Sequence, residues 1–134
     1  MDNIIKLYQR FDKYKDNTYQ ELYYHIYPSI INKQNKIFED EQGTYAFVNW
    51  ALLNNAVEDH YKTTGKLYKH QWKSGKNVWL YDIVILRKAK EVMSWVYSYF
   101  KGYLEVNQPI NWLRLDKENN IYRVSSKYKR EFHI

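Results

Sequence analysis

Apolar residues recur along this chain with two periods, and the change from one to the other marks out its elements. Ile4, Ile5, Tyr8 and Phe11 are spaced for a helix over 3–14, with Ile4, Tyr8 and Phe11 along one side. A second helix is predicted over 18–34. Thr18 stands at its start, Glu21 occupies the capping-box position, and Leu22, Ile26 and Ile30 follow one face. Pro28 falls inside that run and predicts a kink or a break, because proline lacks a backbone donor and crowds the preceding turn. The runs 37–38 and 45–50 flank the polar turn EDEQG and read as a short antiparallel hairpin.

Helical spacing returns over 51–61 through Leu53, Val57 and Tyr61, and turns follow at 63–65 and 73–75. Over 78–86, Trp79, Tyr81, Ile83 and Ile85 alternate with Val78, Leu80, Asp82 and Val84. Both faces of this strand are apolar, so it is predicted to be central and covered on both sides. An amphipathic helix over 89–101 directs Val92, Trp95, Val96 and Tyr99 to the core and ends at Gly102. Runs 110–115 and 121–125 form a hairpin across 116–120, and the basic tail 127–134 is expected to be loosely held. The order α-α-β-β-α-β-α-β-β predicts an α/β (α+β) layer around a mostly antiparallel sheet, in one domain over 1–134.

Composition narrows the chemistry. The 134 residues contain no cysteine, which excludes disulfides, a thiolate nucleophile and cysteine-based zinc sites. No run approaches the ~20 apolar residues of a membrane span, and the amino-terminal stretch lacks the apolar core of a signal peptide, so a cytoplasmic protein is expected. His60, His70 and His133 have no partner at metal-ligand spacing, and no metal is expected. The net charge of +6 and the 15 Tyr and 5 Trp would suit a nucleic-acid surface. The lysines, however, are scattered from Lys6 to Lys129, the pattern of solvated side chains in an AT-rich coding sequence, and nucleic acid is not the expected partner.

Asp82 is the residue that departs most from its surroundings. A carboxylate inside an apolar, aromatic strand is costly to bury, so it has either a chemical role or a structural partner such as Arg87 or Lys76. His25, flanked by Tyr24 and Tyr27, is either a half-buried packing residue or a base. Tyr14 is either a surface tyrosine or a phenolic donor, its ordinary pKa of about 10 making it a poor base. Trp50, Trp72, Trp79 and Trp95 read as core anchors.

Several local patterns resemble one family. Tyr27-Pro28-Ser29-Ile30 is similar to a Leu-Pro-Ala-Ile on that family's second helix, and Tyr45-Ala46 with Asn49-Trp50-Ala51 to its Ala-Tyr and Ser-Trp-Ala strand end. Trp72-Lys73-Ser74-Gly75 followed by Trp79-Leu80-Tyr81-Asp82 resembles its Trp-Thr-Ser-Gly and Trp-Phe-Ile-Asp at matching spacing. Leu113-Arg114-Leu115-Asp116 and Tyr122-Arg123-Val124-Ser125 resemble its closing hairpin. By these motifs the chain, over roughly residues 22–126, resembles the RTX toxin-activating lysine acyltransferases.

The resemblance implies a GNAT-like fold and transfer of a fatty acyl group from acyl-carrier protein to an internal lysine of a target protein. Acyl-carrier protein would be a substrate, with no separate cofactor, and the absence of a glycine-rich pyrophosphate loop disfavours acetyl-CoA as donor. A homodimer is the assembly that the family's tendency and the aromatic content suggest. Family members use a histidine and an aspartate. The aspartate carries over to Asp82, whereas the histidine position falls near Tyr14, between Lys13 and Lys15, and Phe11 stands where a serine precedes it. An active-site asparagine three residues before the proline corresponds to His25.

The candidate catalytic pair is therefore Asp82 with His25, with Asn49, Trp50 and Tyr14 as substrate-binding candidates. A carboxylate that fixes an imidazole's tautomer makes it a base able to neutralise an attacking ammonium. One alternative is a catalytically silent scaffold that binds a partner protein, encoded by a virus or mobile element. The other is a single-strand nucleic-acid binder.

Overall fold

A computed structural model of the chain describes residues 1–116 and 118–132. Among them the chain forms four helices and five strands: α1 (Asp2–Tyr8), α2 (Tyr19–Ile31), β1 (Asn35–Asp40), β2 (Gly43–Leu53), α3 (Asn55–Thr64), β3 (Asn77–Ile85), α4 (Ala89–Tyr103), β4 (Pro109–Leu115) and β5 (Ile121–Tyr128). The sheet runs in chain order, β1-β2-β3-β4-β5, and every neighbouring pair is antiparallel except β3 and β4. Helix α4 provides the crossover that a parallel pair needs. This is the mostly antiparallel α+β sheet the pattern predicts, with β3 at its centre, and it is consistent with a GNAT-like arrangement.

Several boundaries differ from the expectation, each for a local reason. Helix α1 stops at Tyr8 because the next bonds, from Arg10 to Leu7 and from Phe11 to Tyr8, are tight turns over a polar stretch with no continuing apolar stripe. Helix α2 keeps the predicted capping box between Thr18 and Glu21 but does not break at Pro28, which lies in its last turn and removes a single bond. Residues 51–53, expected to be helical, extend β2 instead. The amide of Leu52 donates to Trp72 O and its carbonyl accepts from Ser74 and Gly75, so α3 begins only after Asn54 caps Val57.

Helix α4 passes through Gly102 and ends at the buried Leu104. The tail is packed rather than loose as far as it is described. Strand β5 reaches Tyr128, a 3-10 turn spans Lys129–Glu131, and Phe132 is buried against Tyr97 at 4.9 Å. Lys117 in the last turn, and His133 and Ile134 of the tail, lie outside the described residues.

Helices cover both faces of the sheet. On one face Val92, Val96 and Phe100 of α4 pack on Ala46, Val48, Trp50, Val78, Leu80 and Ile110. On the other, α1 and α2 close over Phe47 and Val84, while α3 and Trp72 close over Ala51, Leu53 and Trp79. Full burial of a side chain such as Phe47 or Phe100 contributes about 1.5–3 kcal/mol.

The strict alternation expected for β3 does not hold. Asn49 pairs with Asp82 but Trp50 pairs with Leu80, which leaves Tyr81 as an extra residue opposite no partner. This β-bulge changes the parity of the strand. Val78, Leu80 and Ile85 face α4, whereas Trp79, Tyr81, Asp82 and Val84 all face the opposite side.

Candidate active site

The bulge delivers Asp82 to the helices. With unbroken alternation its carboxylate would share the α4 face with Val78 and Leu80. Instead, Asp82 Oδ2 lies 2.6 Å from His25 Nε2 and accepts a hydrogen bond from the Tyr8 hydroxyl at 2.7 Å. Its other oxygen accepts from the Tyr14 hydroxyl at 3.3 Å. Helix α1 supplies Tyr8, the irregular turn after it supplies Tyr14, and α2 supplies His25.

Burial pushes the Asp82 carboxyl up, but the His25 charge, the hydrogen bonds from His25 and Tyr8, and the Lys13 ammonium outweigh it and hold the group below the usual carboxylate range. The tyrosines move the other way. Burial first, and the Asp82 charge second, raise the Tyr8, Tyr14 and Tyr81 phenols above their ordinary value. Tyr8 and Tyr14 are therefore neutral donors to an ionised carboxylate. Because that carboxylate can only accept, the hydrogen shared with His25 is carried by Nε2, and Nδ1 is the ring nitrogen not engaged by Asp82.

His25, its side chain 29 % exposed, is partly open, as is Tyr14, while Asp82 beneath the imidazole is buried. It stands in a cleft of about 310 Å³ lined by Lys13, Tyr14, Tyr61 and Tyr81, with Leu113 and Ile121 of the β4–β5 hairpin on the far wall. An adjoining hollow of about 490 Å³ follows Phe11, Ile83 and Leu115. The space exists because β3 and β4 pair only over Val78–Leu80 with Ile110–Trp112 and then part. Tilted aromatic contacts from Tyr81 at 5.3 Å and Tyr14 at 5.9 Å hold the imidazole in place.

The residues singled out from sequence are divided by the fold. Asp82, His25 and Tyr14 come together at the cleft. Asn49 lies behind it, fully buried, its Oδ1 accepting from the Asp82 amide at 2.8 Å and its Nδ2 donating to Ser29 Oγ at 3.0 Å. Trp50 is on the opposite face, packed among Trp95, Tyr99 and Phe100, and its amide donates to Gln34 O. Neither Asn49 nor Trp50 lines the cleft: Trp50 alternates to the α4 face, and Asn49, on the same face as Asp82, is buried beneath Ser29 of α2.

Arg87, one of the structural partners the sequence offers Asp82, pairs with Asp40 at 2.5 Å instead, and the Tyr14 hydroxyl is turned inward to Asp82. Tyr8 and Ser29 were not singled out for the site. The signal for Tyr8 was its place in the apolar stripe of α1, since a tyrosine in the core needs a partner for its hydroxyl. Among the described residues no group of His, Asp and Glu could hold a metal ion, and no helix is long and apolar enough to cross a membrane.

A comparison with protein families finds that the model of the RTX toxin acyltransferase family matches residues 1–129. No curated protein matches the chain.

Proposed function

The chain belongs to the RTX toxin acyltransferase family, and we propose that it transfers an acyl group from the thioester of acyl-carrier protein to an internal lysine of its target, using His25 as base and Asp82 as the group that orients it. The observation that carries this reading is the 2.6 Å contact between His25 Nε2 and the buried Asp82 carboxylate at the floor of an open cleft. A packing histidine would not need a buried anion held ready by two tyrosine hydroxyls.

The chemistry follows from that geometry. Asp82 fixes the Nε2–H tautomer, which leaves Nδ1 to take a proton from the acceptor ammonium. The freed amine attacks the thioester carbonyl and a C–N bond forms. The nitrogen gives up its second proton to solvent, the C–S bond breaks, and the proton held by His25 passes to the departing sulfur, so that the products are an amide, a free thiol and one proton released to water. Lys13, which lines the same cleft, supplies positive charge for the oxyanion that develops on the carbonyl. The parted ends of β3 and β4 give the acyl chain an apolar path past Ile83 and Leu113.

Single-turnover transfer from radiolabelled acyl-carrier protein tests the reading. Removing a positioned base costs on the order of 10²–10⁴ in rate, so His25→Ala and Asp82→Asn are expected to lose that much while remaining folded. Undiminished transfer in both variants would sink the assignment. Absence of transfer by the unaltered protein across a range of chain lengths would favour a scaffold that binds its partner without catalysis.

A further inference from the structure

We propose that Ser29 and Asn49 are positioning residues that lock the helix carrying His25 to the β-bulge carrying Asp82. Ser29 is one turn beyond His25 on the same face of α2, so whatever fixes its hydroxyl also fixes the height and rotation of the imidazole. Asn49 is the residue of β2 at which the register changes. Its side chain bridges the two elements: Nδ2 donates to Ser29 Oγ at 3.0 Å, and Oδ1 accepts from the Asp82 amide at 2.8 Å.

The need for such a bridge arises from the bulge. An extra residue at Tyr81 disrupts the ladder and takes the Asp82 amide away from the ordinary strand-to-strand pattern, and a buried amide without a partner is unfavourable. An asparagine side chain can accept from that amide with its carbonyl and still offer its NH2 elsewhere. Ser29 receives it, and the serine hydroxyl is itself oriented by donating to Ile26 O at 2.8 Å. Ser29 and Asn49 are fully buried and neither lines the cleft, so both act only through His25 and Asp82. The result is a continuous path from Ile26 through Ser29 and Asn49 to Asp82, closed by the contact between Asp82 and His25.

The kinetic consequence of this relay rests on the transfer reading above, whereas its geometric consequence does not, and the experiment reads both. Ser29→Ala removes the hydroxyl with little risk to the fold, since alanine favours helix. Asn49→Ala removes the bridge itself, and the double variant tests whether the two act as one unit. Proton NMR of imidazole-¹⁵N-labelled protein reports the His25 Nε2–H held by Asp82 as a downfield resonance.

In both single variants that resonance is expected to broaden into exchange with water. Single-turnover transfer should slow about 10- to 100-fold, the effect of a small misplacement, with KM for the acceptor unchanged. The double variant should be no slower than Asn49→Ala alone. A folded Ser29→Ala variant that keeps the resonance overturns the proposal, whatever its rate. If the unaltered protein transfers nothing, the resonance alone decides: its loss in the variants upholds the relay, and its persistence overturns it.

Discussion

At the scale of single residues, the central fact is an ionised carboxylate largely withdrawn from water. An unpaired charge in such a place costs several kcal/mol, and Asp82 meets that cost with donors from Tyr8, Tyr14 and His25. Tyr8 is the donor with no exposed alternative, being wholly buried. Tyr8→Phe keeps the ring and deletes only the hydroxyl. It is expected to cost about 1.5–3 kcal/mol, the range for a hydrogen bond to a charged group, measured as a shift in the urea midpoint. A change within experimental error would mean that His25 and Tyr14 suffice to hold the charge.

At the scale of elements, the Trp72-Lys73-Ser74-Gly75 turn is a clamp on the end of β2. Its backbone bonds to both sides of Leu52, and Ser74 Oγ accepts from the Asn54 amide at 3.1 Å. Gly75 is required there by proximity. A Cβ added to it would lie 2.4 Å from the Asn54 amide nitrogen, against backbone that cannot step aside. Gly75→Ala is therefore expected to destabilise the protein by about 1–3 kcal/mol, the usual cost of forcing an atom into a packed site, with α3 losing its cap at Asn54. Thermal unfolding followed by circular dichroism checks this. An unchanged melting temperature would show that the turn can move off β2.

At the scale of the whole molecule, the site should make stability depend on pH at both extremes. The folded Asp82 pKa lies below its unfolded value, so its contribution is complete above about pH 4 and is lost as pH falls through the folded value. Asp82→Asn should thus be less stable than the unaltered protein at pH 7, with the difference shrinking on acidification. For Tyr8, Tyr14, Tyr61 and Tyr81 the folded value lies above the unfolded one, principally through burial. Their contribution is in place below about pH 10 and is lost as pH rises beyond it. Absorbance at 295 nm should show these four of the 15 tyrosines silent until the chain unfolds.

Much of the architecture was legible because it depends on contrasts that periodicity reports. Helix α2 with its capping box, the hairpin of β1 and β2, the amphipathic α4 and a central β3 all follow from where apolar residues recur. Asp82 stood out as a charge in an apolar strand, and the motifs around it pointed to the family that the match over residues 1–129 bears out. The ends of α1 and β2 were less legible, since they are set by turns and by the Trp72–Gly75 clamp rather than by period.

The face on which Asp82 emerges could not be read from sequence at all. A strand with a wet side carries its parity in its pattern, but β3 is covered on both sides, so a one-residue shift at Tyr81 leaves that pattern unchanged. Only the packed structure supplies the asymmetry. Asn49 accepts the displaced amide on one side of the bulge, and Tyr8, Tyr14 and His25 receive the carboxylate on the other. The sequence by itself determined that a charge would be buried at the centre of the sheet. Tertiary contacts between elements far apart in the chain decided which way it points and what it meets.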